Sequence, residues 1–167
     1  TRACVAAVRL GQQRLLEICK QHGQATVLKT FSHLIDETER FIRNKLRSLF
    51  PRGKYAFTDL VDTDGHGNGP FAVSLDLISD GKNFHLDGSR SSDQSPGAIN
   101  YLMHPDVPCM VFGIYLLADE PNVMLNQGAV HAFKSVTMRE GSILRPRYPA
   151  ALGQRGVTLV RLISACL

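Results

Sequence analysis

The apolar residues of this chain change their period at Pro51-Arg52-Gly53, from the three-to-four spacing of a helix to the alternation of a strand. Such a change confines the fold to one in which helices and strands occupy separate blocks. Before it, Leu28, Phe31, Ile35, Ile42, Leu46 and Leu49 recur at steps of 3, 4, 7, 4 and 3, with Val27, Leu34 and Phe41 widening the stripe, which predicts a helix over 25–49. A first helix is predicted over 2–21, with Cys4, Val8, Leu15 and Cys19 along one side and His22-Gly23 as its stop. Two helices joined by a short glycine turn are expected to pack antiparallel and cover each other's stripes. Asp36/Arg40 and Glu39/Arg43 at i,i+4 add about 0.3 kcal/mol each on the outer face.

After the break, Tyr55 and Phe57 alternate with polar neighbours over 54–61, and Phe71, Val73, Leu75 and Leu77 share one face of a strand over 71–78. Asp80-Gly81 predicts a type I′ turn that returns through Phe84 and Leu86. Residues 105–119 are apolar on nearly every side, which predicts a buried helix, with Gly113 and Ala118 small enough for a close crossing. A strand over 130–138 and a last helix over 157–167 complete the pattern. The expected fold class is α+β: an N-terminal helical hairpin over 1–50, then over 54–167 an antiparallel or mixed sheet with a β-hairpin, a buried helix and an Arg/Pro/Gly-rich loop. Residues 1–167 are expected to form a single domain or a fragment of a larger protein. Thr1 leads at once into a helical pattern, and the closing helix has no glycine, asparagine or cationic last turn, so both ends are expected to be internal to a longer protein.

Composition narrows the function classes. The longest apolar run, 109–118, falls well short of the roughly 20 residues that cross a bilayer, so no membrane segment is expected. The net charge of +4 is unevenly placed: residues 1–120 carry 13 Lys+Arg against 14 Asp+Glu, whereas 121–167 carry 6 against 1. The basic segment sets arginines among prolines and glycines, without interleaved aromatics or a recognition-helix pattern, which argues against nucleic acid. It suits the clamping of a carboxylate or phosphate, or of a partner subunit's acids. Cys4, Cys19, Cys109 and Cys166 have no C-x-x-C spacing and sit in apolar stretches, as reduced, buried thiols of a cytoplasmic protein would.

Asp62, Asp64 and His66 alternate along a glycine-rich connection, as oxygen and imidazole metal ligands do. The same composition builds a turn in which Asx side chains bond their own backbone, and that reading is preferred. His22, His33, His85, His104 and His131 have no metal-ligand spacing, and no H-E-x-x-H, G-x-S-x-G, phosphate-loop or dinucleotide fingerprint is present. No general base is nominated and no complete catalytic apparatus is visible. Gln94, Asn100, Asn126, Gln127, Arg145, Arg147, Gln154 and Arg155 place amides and guanidiniums on loops. Such an inventory either grips a polar amide or carboxylate or fixes the loops to their own backbone.

Five stretches, in this order, resemble one family: RLGQQRLLE (9–17), DTDGHG (62–67), SPGAIN (95–100), LNQG (125–128) and GSILRPRYPAALG (141–153). The family is the B component of hydantoinase, which includes the corresponding part of 5-oxoprolinase, N-methylhydantoinase B and one large subunit of acetone and acetophenone carboxylases. Its pattern often has Asn-Glu-Gly at Asn126-Gln127-Gly128 and Arg-Asn at Arg155-Gly156, so no site role is assigned to Gln127 or Gly156. Its histidine- and aspartate-containing metal motif lies upstream of the first helix found here, and full members are several times longer.

The resemblance implies part of the B component of an ATP-dependent, multi-subunit hydrolase of cyclic amide C–N bonds. Its partner would be an ATP-binding A-type component, separate or fused, that phosphorylates or activates a carbonyl. Phosphorylating a lactam oxygen creates a leaving group and lowers the barrier to the later step. Part of an acetone carboxylase-like large subunit, or a non-catalytic subunit-interaction module, are the alternatives. The resemblance also implies a small cyclic amide or ketone substrate, with ATP and a divalent metal required by the full enzyme, neither bound by this piece, which alone is expected to be inactive. Substrate contacts are expected at Asn100, Asn126, Arg145, Arg147 and Arg155.

Overall fold

The computed structural model describes residues 2–166, so the expectations for Thr1 and Leu167 lie outside the described residues. Helices α1 (Arg2–His22) and α2 (Gln24–Leu49) are joined by Gly23 alone, at a φ of 83° that favours glycine. The Gly23 N–H donates to Cys19 O at 2.9 Å and its carbonyl accepts from Val27 N–H at 3.1 Å, so the link belongs to both helical ladders. A single residue is shorter than the two to five that usually let antiparallel helices lie flat on each other. The expected mutual cover is confined to the link, where Val27 of α2 is buried and Cys19 of α1 half-buried; α1 has no buried residue, and Leu28 and Phe31 in the first half of α2 are exposed. The second half of α2 is anchored, with Thr38, Ile42 and Leu46 buried.

Strands β1 (Gly53–Val61), β2 (Phe71–Ser79), β3 (Phe84–Asp87) and β4 (Ser135–Thr137) form one sheet in the order β1-β2-β3-β4. The first three run antiparallel and β4 joins β3 in parallel, so the sheet is mixed. Val73, Leu75, Leu77, Phe84 and Leu86 supply its core face, which packs with Ile42 and Leu46 of α2, Phe112 of α3 (Asp106–Leu116) and Leu162 of α5 (Arg155–Cys166). The fold is the α+β class read from the sequence.

Three local expectations need correction. Ser79 pairs with Phe84, leaving a four-residue loop in which only Gly81 has positive φ, so the turn is not type I′. The Asp80 carboxylate organises it by accepting the N–H groups of Lys82 and Asn83, both at 2.7 Å. The strand expected over 130–138 divides into a short helix, α4 (Gly128–His131), followed by β4. Its backbone is pressed against α2, since a Cβ at Gly128 would stand 2.2 Å from Ile35 O. Cys109 and Cys166 are buried, and burial pushes both thiols up to about 12, but Cys4 is exposed and Cys19 half-buried on the uncovered α1.

Gly113 makes the expected close crossing, where a Cβ would stand 2.7 Å from Leu125, whereas Ala118 is exposed. Beyond the β2–β3 ladder, the polar segment after β3 completes the sheet edge. Ser92 N–H donates to Ala72 O at 2.9 Å, Ser92 Oγ accepts Ala72 N–H at 2.8 Å, and Ser91 Oγ accepts Ser74 N–H at 3.0 Å. No helix among the described residues is long and apolar enough to cross a membrane.

Candidate functional site

The glycine-rich connection after β1 folds around Asp64. Its Oδ1 accepts the N–H groups of His66 (2.9 Å) and Asn68 (3.2 Å), and its Oδ2 accepts Asn68 Nδ2 and the Ser95 hydroxyl, both at 2.9 Å. Burial alone would push this carboxyl up, but the bonds from Asn68, His66 and Ser95 outweigh it and hold it well below the usual carboxylate range. Four donors occupy the two oxygens, while the Asp62 and His66 side chains stand exposed. The turn reading describes this segment, and its donor set does not fit a metal. Among the described residues, no group of three or more His, Cys, Asp or Glu is placed to hold one.

Ser95 passes the connection on to the next motif. Its hydroxyl accepts Gly97 N–H at 2.9 Å, and Gly97 lies so close that a Cβ there would be 2.7 Å from Asp64 Cβ. Asn100 has no exposed surface. Its Oδ1 accepts Ser95 N–H at 2.8 Å, and its Nδ2 is shared among the carbonyls of Ser95 (2.8 Å), Gly97 (3.0 Å) and Ala151 (3.1 Å). The last of these reaches the Arg/Pro/Gly-rich loop. That loop runs along 92–103 through Ile143 N–H to Ser92 O (2.9 Å), Gln94 N–H to Gly141 O (2.8 Å), Tyr101 N–H to Ile143 O (2.8 Å) and Gln154 N–H to Ala98 O (2.8 Å). Gln94 grips the backbone of Arg147 with both ends of its amide, accepting its N–H at 2.6 Å and donating to its carbonyl at 3.3 Å.

This scaffold holds three guanidiniums in solvent. Arg145 and Arg147 lie on the clamped loop and Arg155 begins α5, all exposed. Arg147 faces Glu140 at 3.4 Å with both side chains largely exposed, a contact worth little in water. Asn126 stands elsewhere: its Nδ2 donates to Leu34 O (3.1 Å) and Thr38 Oγ1 (2.9 Å), and its Oδ1 accepts Gly128 N–H (2.8 Å), clasping α4 to α2. The five expected contact residues therefore divide into three exposed arginines and two amides engaged in the fold.

Asp76, absent from the sequence reading, is a fully buried carboxylate on β2. Arg90 binds both its oxygens, at 2.6 and 2.9 Å, and Lys54 reaches it at 2.7 Å. The bonds from Arg90, against the opposing effect of burial, hold its carboxyl below the ordinary value. Its signal was a charged residue in the middle of a strand whose other residues are apolar or serine. Guanidiniums on a fixed backbone donate charge-assisted bonds to a carboxylate or phosphate; they neither attack a carbonyl nor take up a proton at neutral pH.

The sequence model of the hydantoinase B/oxoprolinase family matches residues 1–167. The chain is 27% identical over 158 residues, 89% of its length, to a protein of Pseudomonas sp. (strain NS671) assigned as the B-type component of a D-/L-hydantoinase, and covers 26% of that protein. It is 26% identical over 110 residues, 66% of its length, to the beta chain of the caprolactamase of Pseudomonas jessenii, covering 18% of it. Its fold is similar to the crystal structure of the ATP-dependent caprolactamase of Pseudomonas jessenii, with a TM-score of 0.82 at 23% identity over 97% of this chain and 28% of that one. It is also similar to a nucleotide-free acetone carboxylase, with a TM-score of 0.70 at 15% identity over 91% of this chain and 21% of that one. The chain thus spans about a quarter or less of the length of the curated relatives it matches.

Proposed function

Since the chain belongs to the hydantoinase B/oxoprolinase family, we propose that it is part of the B component of a cytoplasmic, ATP-dependent enzyme that hydrolyses a cyclic amide together with an ATP-binding A-type component. The observation that carries the reading for this segment is the set of exposed guanidiniums: Arg145 and Arg147 on a loop fixed by Asn100 and Gln94, and Arg155 at the start of the helix that follows it. In this reading they bind an anionic group of the substrate or of its activated form. The chain supplies a binding element, and the ATP chemistry and any metal lie with other parts of the assembly. The matched relatives named for hydantoin and caprolactam favour an amide substrate over a ketone.

The test uses the complete protein with its A-type component, ATP and a panel of hydantoin, 5-oxoproline and caprolactam, with acetone plus bicarbonate as the carboxylase arm. Ring opening coupled to ATP consumption is the expected result, and residues 1–167 alone are expected to give none. Carboxylation of acetone without ring opening would replace the hydrolase reading. Absence of any ATP-coupled turnover, or robust turnover by the isolated segment, would contradict it.

A further inference from the structure

We infer that Glu140 is an internal competitor for Arg147, its carboxylate holding the guanidinium that the oxyanion of a ligand must take from it. The inference rests on the binding role given above to the exposed arginines. It makes Glu140 a positioning residue that acts through Arg147 and selects ligands by charge.

Residues 140–147 form a chain reversal pinned on both sides. Gly141 N–H donates to Arg145 O at 2.8 Å, and Gly141 O accepts Gln94 N–H at 2.8 Å. The side-chain amide of the same Gln94 holds the N–H and the carbonyl of Arg147. Gly141, at a φ of 80°, lets the Arg147 side chain lie across it: a Cβ there would stand 3.7 Å from Arg147 Nε and 3.9 Å from its Cδ and Cζ. That path brings Arg147 Nε to 3.4 Å from Glu140 Oε1. Glu140 is the one acid of residues 121–167, which carry six Lys+Arg. Among the described residues, Arg145 and Arg155 form no ion pair, so the single acid is set against Arg147.

The contact is made to be broken. Arg139 meets Asp93 at 2.7 Å while bonding the carbonyls of Ser89 and Ser91, and Arg90 meets the fully buried Asp76 at 2.6 Å. Both are at the distance of a full charge-assisted bond, about 2.7–2.9 Å or less. The Arg147–Glu140 pair is longer, and its side chains are 66% and 63% exposed, so water or another oxyanion reaches both. A neutral group does not compete with a carboxylate for a guanidinium, whereas an anionic group does. Selectivity for charge therefore comes from the acid already present as well as from the arginine.

Inorganic phosphate and acetate, titrated separately into the complete protein, stand for the phosphoryl and carboxylate sources of such an oxyanion. Arg147→Ala is expected to weaken binding of the anion that the site takes, which identifies it. Glu140→Gln, which keeps the shape and removes the charge, is expected to tighten binding of that anion by about two- to fivefold, the range of an exposed ion pair. In the Arg147→Ala background the gain is expected to vanish, with melting temperatures unaltered throughout. An affinity unchanged or lowered by Glu140→Gln overturns the proposal while leaving the arginine reading intact. A gain that persists without Arg147 also overturns it, because the acid would then act through its general field. Phosphate and acetate affinities both indifferent to Arg147→Ala would overturn the arginine reading and, with it, this proposal.

Discussion

The clamped loops at 62–69, 92–103 and 141–154 and the helical arm at 2–37 invert the usual placement of side chains. In the loops, Asp64, Ser95 and Asn100 are polar and buried; on the arm, Val8, Leu16 and Phe31 are apolar and exposed. The difference teaches where each region finds its partners. The loops satisfy one another through short side-chain bonds to backbone, so their polar motifs build a scaffold from which the arginines project into solvent. The arm has almost no partners among the described residues, so they supply little of its stability.

The largest effect expected of this contrast is at Asn100. Asn100→Ala leaves the Ser95 N–H and three carbonyls without their buried partner and should lower stability by about 3 kcal/mol or more, read by chemical denaturation. Ser95→Ala, which removes one bond to Asp64 and one from Gly97, should cost about 1–2 kcal/mol. Val8→Ala on the arm should shift the stability of this segment by less than about 0.5 kcal/mol. A cost at Val8 matching that at Asn100 would erase the contrast.

The pH dependence sharpens it further, because the groups with displaced pKa values in the buried network and core belong to the body. The Asp64 and Asp76 carboxyls sit below the ordinary value, so the unfolded chain takes up protons first as pH falls. Their stabilisation is complete above about pH 4 and is lost as pH drops through the folded values. The Cys109 and Cys166 thiols, at about 12, act in the opposite direction. The unfolded chain releases those protons first, so their contribution is complete below about pH 8.5 and declines as pH rises toward 12. Denaturant midpoints measured from pH 2 to 11 should fall at both ends, and a profile flat in acid would contradict the role given to the two carboxylates.

How much of this was legible depended on the range of the forces involved. The helices over 2–49 and the strands at 54–61 and 71–78 follow from local periodicity, and the structure has them within a residue or two. Mutual cover of α1 and α2 did not follow, because a one-residue link leaves the interhelix angle to contacts the sequence does not display. Val130 to Met138 alternates like a strand, yet Gly128 is pressed onto α2 and Asn126 caps the turn there, a tertiary effect that overrides the local pattern. Ser91 and Ser92 were visible only as polar loop residues, and their use as a substitute strand required knowing that β3 is too short to cover β2. Amides at Asn100 and Asn126 were recognisable as grips, but whether they hold a ligand or their own backbone is decided by residues far away in sequence.

The central claim is that the clamped loops are scaffold and the guanidiniums above them are the working groups. Its most direct test is a paired measurement on Arg147→Ala in the complete protein: thermal stability, and ATP-dependent turnover after assembly with the A-type component. The account predicts a stability change within about 0.5 kcal/mol and a loss of about 1.5–3 kcal/mol in transition-state stabilisation, read from kcat/KM. A large fall in stability, or unaltered turnover, would contradict it and assign the basic loop to the fold.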